Sequence, residues 1–340
     1  MVEIIIVGCG TQGRVHAKCY AKLKDMQDIK IVGVVDPKQE QLNAFQHLCS
    51  ELGFDTRRIL LKNKLSEISK ELDISDSIFD VATPNICHYP CVKEAVDIGA
   101  KRIIIEKPLA HNIIDAKNIR ELDGTFGVIE NYVYSPITQH IQKILNEHKS
   151  KTIFAKTEFS KDRRLEATGR RGFSEDYIPH VFTIEMPHQI AVVSYLLGFP
   201  KEVCDAWCHD MILPDGRISS HGEGGITLAH DNGVVSYNFS CLQGHRHLSI
   251  KYRTIRVYCE DTTKIFGYYP TTIDLEGSIL VYHGQVLVEK HRFIDDSMTE
   301  TLKYLIECFM ENKKPLTDVK FGQRVINIID TSIMLTKKFR

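Results

Sequence analysis

No stretch of this 340-residue chain approaches the roughly 20 consecutive apolar residues that a membrane-spanning helix needs. Long runs of one charge are missing too: 43 Lys and Arg against 44 Asp and Glu leave a formal net charge of −1. That balance offers neither nucleic acid nor an anionic membrane an electrostatic foothold, so neither is expected as a partner. Internal repeats and low-complexity segments are absent from the sequence. Residues 1–8 read as an apolar strand running into glycines, without the charged lead and small-residue cleavage site of a secretory signal. The expectation is a cytoplasmic protein.

Cysteine, by contrast, is plentiful. Ten are scattered along the chain, and Cys87/Cys91 and Cys204/Cys208 form C-x3-C pairs. Neither pair has the usual C-x2-C zinc spacing, and free cysteines behave as small buried hydrophobes in a reducing compartment. No metal is expected.

A chain of this length can bury two cores of ordinary size. Its first 130 residues alternate apolar runs with amphipathic stretches, the pattern of a parallel sheet built from βαβ units. Strands are expected at Glu3–Val7, Ile29–Val35, Arg58–Leu61, Ser77–Ala82, Lys101–Ile105 and Thr125–Glu130. Helices are expected near Gln12–Lys24, Lys38–Leu52, Leu65–Leu72, Cys87–Ile98 and Ile114–Leu122. Runs such as IIIV and IVGVV are nearly unbroken in apolar residues, as strands covered on both faces are. The remainder, 131–340, reads as an α/β domain with an open, largely antiparallel sheet. Its expected strands are Thr152–Phe159, Val203–Asp210, Gly225–His230, Val234–Ser240, Leu248–Glu260 and Ser278–Tyr282. Asp231-Asn232-Gly233 is a hairpin signal between two of them. Helices are expected near His188–Leu197, Ser297–Met310 and Phe321–Lys337.

Val7-Gly8-Cys9-Gly10-Thr11-Gln12-Gly13 carries G-x-G-x-x-G. Such glycine triplets arise by chance, but this one follows an apolar strand and opens an amphipathic helix, the setting that gives the pattern weight. Gly8 permits the tight turn, Gly10 lets the backbone approach a pyrophosphate, and Gly13 allows close helix–strand packing. The helix start, with Thr11 and Gln12, supplies bare amides and the positive end of a dipole. Asp36 closes the second strand 23 residues after Gly13, where a carboxylate accepts from the adenine ribose hydroxyls. It repels a 2′-phosphate, so NAD is favoured. Lys38 attracts such a phosphate and keeps NADP open. The plainer reading of Asp36 is a turn or cap residue ahead of Pro37.

Two further segments, Ala82-Thr83-Pro84-Asn85-x-x-His88 after the fourth strand and Glu106-Lys107-Pro108 after the fifth, complete an ordered set. With the glycine loop and the two-part pattern, the whole chain resembles the Gfo/Idh/MocA oxidoreductases, relatives of glucose–fructose oxidoreductase and inositol dehydrogenase. The resemblance implies a Rossmann domain over 1–130 and a substrate-binding and oligomerisation domain over 131–340, assembled as a homodimer or homotetramer. It implies that Lys107 reaches both nicotinamide and substrate hydroxyl, with Glu106 orienting it and Pro108 fixing the turn. Burial and a neighbouring cationic nicotinamide both lower a lysine's pKa toward the range useful for proton transfer. Thr83, Pro84 and Asn85 line the nicotinamide end. His88 either joins them or merely begins a helix. Asn131, with Tyr132 beside it, approaches the substrate.

The second family motif departs from pattern. Relatives usually carry D-x-G-x-H-x-x-D, whereas here the segment reads Ile184-Glu185-Met186-Pro187-His188-Gln189-Ile190-Ala191. Both aspartates are gone and the histidine is kept. His188 is expected as the acid/base partner, because imidazole titrates near working pH. Glu185, one position out of register, is the nearest carboxylate that could serve with it. His180 is a weaker candidate for a substrate contact. Just upstream, Lys161–His180 holds Arg163, Arg164, Arg170 and Arg171. Guanidinium forks of that kind suit an anionic substrate group, although an ordinary solvated loop reads the same way.

The expected activity is therefore NAD(P)-dependent oxidation or reduction of a secondary alcohol or ketone on a sugar, cyclitol or related polyol. The polyol preference comes from the resemblance alone. A reductase of a conjugated C=C or C=N bond, a silent cofactor-binding regulator and a redox-assisted glycosidase stand as alternatives.

Overall fold

The computed structural model describes residues 1–148, 150–164, 179–243, 251–271 and 275–338. Arg170 and Arg171, and the start of the strand expected from Leu248, lie outside them. Contacts divide the chain into two units: Met1–Glu130 with Met298–Ile326, and Asn131–Ser297 with Asn327–Arg340.

The first unit runs β1 (Val2–Val7), α1 (Thr11–Gln27), β2 (Ile29–Val35), α2 (Gln39–Glu51), β3 (Leu60–Lys62), α3 (Leu65–Ile68), β4 (Ile78–Val81), α4 (His88–Asp97), β5 (Arg102–Glu106), α5 (Ile113–Arg120) and β6 (Thr125–Ile129). The six strands are all parallel, in the order β3-β2-β1-β4-β5-β6. That is the doubly wound dinucleotide-binding order, in which ligands bind beyond the carboxyl ends of the strands at the switch point. Alternate side chains explain the apolar runs. Ile4 and Ile6 of β1, Ile104 of β5 and Ile129 of β6 face one core with α1 and α2. Ile5, Val7, Ile103, Ile105 and Val128 face another with α4 and α5.

The expected boundary at 130–131 needs a correction, because 131–340 is not one continuous domain. Met298–Ile326 returns to the first unit. Leu302, Leu305, Ile306 and Phe309 are buried in the first core, and Gly127 of β6 leaves the space that Leu305 occupies. A helix read only from its own period does not reveal which core will bury it.

The second unit contains α6 (Pro136–Glu147), β7 (Thr152–Lys161), α7 (Val181–Ile184), α8 (Met186–Leu197), β8 (Glu202–Ile212), β9 (Ile218–Ala229), β10 (Val235–Cys241), β11 (Lys251–Cys259), β12 (Thr263–Tyr268), β13 (Glu276–His283) and β14 (Val286–Ile294). Three elements follow: α9 (Ser297–Met310) and α10 (Val319–Leu335), which lie partly in each unit, and the short β15 (Lys337–Lys338). Among the described residues nine strands form one sheet, β14-β13-β12-β11-β7-β10-β9-β8-β15, antiparallel except at β7/β10 and β8/β15. Asp231–Gly233 makes the tight turn between β9 and β10, with Asn232 and Gly233 both at positive φ. One sheet face packs on α6 and α8: Phe159, Ile255, Val257, Ile265 and Ile279 meet Ile137, Ile141 and Val192. The other face carries half-buried aromatics strand after strand, with ring pairs Trp207–Phe239, Phe154–Tyr258, Tyr258–Phe266 and Phe266–Tyr282 between 5.4 and 6.1 Å apart.

Candidate active site

At the carboxyl edge of the first sheet, β1 ends in a turn that only glycine fits. Gly8 has φ +103°, and a Cβ there would lie 2.9 Å from the Ala82 carbonyl oxygen. Gly13 lies under the same turn, where a Cβ would come within 2.0 Å of the Gly8 carbonyl oxygen. Gly10 differs: a Cβ on it meets nothing within 4 Å. It stands as N-cap of α1 with no side-chain cap, and no acidic residue occupies the first turn of that helix. Bare amides facing open space at a positive helix end fit a dinucleotide's pyrophosphate. Asp36 is fixed beside them. Its carboxylate accepts from the Cys9 and Lys38 backbone amides, each at 2.9 Å, and so braces the loop while remaining able to accept further.

Behind the loop lies a cluster absent from the sequence expectations. His16 of α1 is fully buried between two carboxylates. Its Nδ1 lies 3.0 Å from Asp80 of β4 and its Nε2 3.1 Å from Glu106. Tyr20, one turn on, donates to Asp80 at 2.7 Å. Burial opposes a charged imidazole, but the two carboxylates together outweigh it and hold the His16 pKa well above the usual value. An imidazolium donating from both nitrogens satisfies both acids, as a neutral ring could not. Glu106 also accepts from Gln12 Nε2 at 3.0 Å and from the Lys107 backbone amide at 2.8 Å. The helix that opens the phosphate loop is thereby bolted to the turn that carries Lys107. The missed signal was a lone aspartate inside the otherwise apolar IFDV strand, with His16 and Tyr20 four residues apart on one helix face.

Lys107 stands just beyond the carboxyl end of β5, ahead of a cis bond to Pro108. Thr83, Pro84 and Asn85 follow β4 at the same edge. His88 does not join them as a ligand contact. Its ring is buried, with Nδ1 2.9 Å from the Pro108 carbonyl and Nε2 2.9 Å from the Thr83 carbonyl, and burial lowers its pKa. The expectation of a binding role is corrected: both nitrogens are used to staple one loop to the other.

In the second unit, His188 lies in the first turn of α8 against the edges of aromatic rings. The Tyr132 ring centre is 5.0 Å away, and Tyr132 in turn packs on Phe159 and Tyr269. The Tyr132 hydroxyl accepts from Arg253, and burial pushes its pKa up to about 12. Asn131 donates to Ser297 at 3.1 Å. Glu185 is not placed for proton transfer, contrary to expectation. It is completely buried, with one oxygen 2.6 Å from Arg163 Nη2 and the other 3.0 Å from Arg253 Nη2. A carboxylate pinned by two guanidiniums is held ionised. The arginine reading changes with it, since Arg163 is taken up by Glu185 and Arg164 by Asp162 at 2.6 Å. His180 caps α7, its Nδ1 accepting from the Phe182 amide, and stacks on His221 at 4.0 Å. Among the described residues, no group of three or more His, Cys, Asp or Glu is arranged to hold a metal, and no helix is long and apolar enough to cross a membrane.

Strand order, glycine turn and ribose-facing acid together define a dinucleotide-binding Rossmann domain followed by a mixed-sheet domain. Residues 2–129 match the family model described as "Oxidoreductase family, NAD-binding Rossmann fold", that of Gfo/Idh/MocA. The chain's amino-terminal domain belongs to the Gfo/Idh/MocA family of NAD-binding oxidoreductases. Solved structures show the same fold throughout. Levoglucosan dehydrogenase in complex with NADH and levoglucosan aligns at TM-score 0.78 and 16% identity, over 98% of this chain and 96% of that one. The aldose-aldose oxidoreductase of Caulobacter crescentus complexed with glycerol aligns at 0.78 and 14%, over 98% and 97%. The UDP-N-acetylglucosamine 3-dehydrogenase of Acidithiobacillus ferrooxidans aligns at 0.73 and 16%, also over 98% and 97%. No curated protein matches.

Two predictions follow from this geometry. Gly10→Ala should fold with unchanged stability yet lose NAD affinity by tenfold or more, whereas Gly13→Ala should lose stability as well; calorimetry and thermal melts separate the two. For His16, the folded-state pKa is raised, so its contribution is fully present below the unfolded value of 6.5 and fades as pH rises through the folded one. His16→Gln should cost about 3–5 kcal/mol in neutral solution, the usual result of breaking a buried ion pair. It should also flatten the alkaline fall in stability, as read by denaturant unfolding at stepped pH.

Proposed function

We propose that the protein is an NAD-dependent dehydrogenase acting on a secondary alcohol or ketone of a sugar, cyclitol or related polyol. The observation that carries this reading is the bolt between α1 and the Lys107 turn, through Gln12, His16 and Glu106, which fixes an ammonium side chain relative to a phosphate-binding loop. The printed substrates of the fold neighbours, levoglucosan and a nucleotide sugar, support the polyol class.

Each assigned role follows from placement. The first-turn amides of α1 and Asp36 take the pyrophosphate and the adenine ribose. Thr83, Pro84 and Asn85 wall the reactive end. Lys107 takes the hydroxyl proton as the alcohol is oxidised and returns it in the reverse direction, and its charge stabilises a developing alkoxide. Bound NAD supplies the hydride acceptor at nicotinamide C4. His188, held edge-on by Tyr132, is assigned to substrate recognition and proton exchange. Glu185 is assigned to positioning Arg163 and Arg253 rather than to chemistry. Asn131 and Tyr132 are assigned to the substrate side. With Arg163 and Arg164 paired internally, the case for an anionic substrate loses its main support.

Incubation with NAD and a panel of polyols, followed by absorbance of the reduced cofactor, tests the reading. Lys107→Ala should keep NAD affinity within a few-fold while turnover falls by about 10²–10⁴, the usual share of a general acid–base group. Unchanged turnover would remove the lysine from the mechanism, and silence across the panel despite cofactor binding would favour a regulator. We also assign the aromatic stripe on the open sheet face to contact with a second copy, since a patch of that kind marks an interface. Light scattering should then give a mass at least twice the 38.8 kDa of one chain.

A further inference from the structure

A second carboxyl group lies at the edge of the first sheet, and none of the roles above uses it. β5 and β6 are neighbours, with Glu106 in register with Ile129. The next residue on each strand is therefore Lys107 and Glu130, side by side beyond the carboxyl ends. Glu130 is only 1% exposed, and among the described residues neither of its oxygens has a hydrogen-bond partner. Such a group costs about 1–3 kcal/mol and is seldom kept without a use.

Glu106, two strand positions away in space and equally buried, shows the contrast. Gln12, His16 and the Lys107 amide occupy its oxygens, and its pKa is lowered. It is an ionised structural acid. Glu130 has no such donors. Burial pushes its pKa up to about 8; the Lys107 ammonium pulls it down, and the Glu106 carboxylate pushes it further up. Two carboxyl groups whose surroundings drive them apart are the usual sign of divided acid–base labour.

We propose that Glu130 is the proton partner of Lys107: a positioning residue that stores a proton in the free protein, releases it when positive charge enters the site, and thereafter sets the charge of the lysine. The inference rests on the dehydrogenase reading above. Alcohol oxidation sends the C–H electron pair to the nicotinamide as hydride, and the O–H proton must go elsewhere. Lys107 can take that proton only as a free amine. The ammonium proton of Lys107 passes to the Glu130 carboxylate, and the freed amine then accepts the proton from the substrate hydroxyl. One hydride and one proton leave the alcohol, a carbonyl forms, and the pair has gained one proton, which solvent removes. Oxidised nicotinamide is cationic and reduced nicotinamide is not, so only the oxidised form favours the ionised carboxylate that this exchange needs.

The experiment is calorimetry of NAD⁺ and NADH binding to the full chain, in two buffers of different ionisation enthalpy, at stepped pH. The difference in apparent enthalpy counts protons. Near pH 7.5, NAD⁺ should release roughly half to one proton per site and NADH close to none, with the NAD⁺ release fading above about pH 9 as the carboxyl is already ionised. Glu130→Gln should bind NAD⁺ without that release. Release that persists in Glu130→Gln would assign the proton to another group near Glu106, such as His16 or His88, and overturn the proposal. So would zero release across the pH range in the unaltered protein, a reading that needs no variant to fold. Infrared difference spectra of the unaltered protein provide a second check: a protonated-carboxyl band should bleach on adding NAD⁺, and its absence counts against Glu130. A protein that binds no NAD⁺ at all defeats the parent reading, whereas binding without a Glu130-dependent proton defeats this inference alone.

Discussion

The amino-terminal unit depends on one buried contact, the His16 imidazolium held between Asp80 and Glu106. A single cation there satisfies two acids that apolar surroundings would otherwise make costly. Asp80 anchors it to the centre of the sheet, and Glu106 passes the constraint to the Lys107 amide. The phosphate loop and the lysine therefore cannot shift independently. For hydride chemistry this matters because small errors in placement cost large factors in rate.

The second unit uses charge differently. Glu185 with Arg163 and Arg253 forms a buried bridge around a carboxylate, and Arg253 continues to the Tyr132 hydroxyl, whose ring supports His188. The family's aspartate before that histidine is missing, and this network supplies rigidity in its place. Lys251 joins the same surroundings, where burial and the neighbouring arginines bring its pKa down to about 8. The site thus keeps its histidine while changing everything that fixes it.

How much of this could be read from sequence depended on whether the signal was local. The glycine turn, the order of the parallel strands and the acid after β2 are local patterns imposed by backbone geometry, and they were legible. The fate of Glu185, Arg163 and His88 was not, because each is decided by partners tens of residues away: Arg253, Pro108 and Thr83 among them. Helix α6 and strands β12 and β14 escaped notice because mixed polar and apolar residues blur their period. Helix α9 was seen, but its docking partner was not, because amphipathicity names a buried face and not the core that buries it. Asp80 was the one long-range feature with a readable cue, a charge inside a four-residue buried strand.

The central claim is that His16 is a permanent cation tying the phosphate loop to the lysine turn. Nuclear magnetic resonance of its ring nitrogens, assigned by comparison with His16→Gln, tests this most directly. The account predicts both nitrogens protonated through neutral pH and deprotonation only well into the alkaline range, with or without NAD. A ring that loses its proton near pH 6.5, like a free histidine, would contradict it.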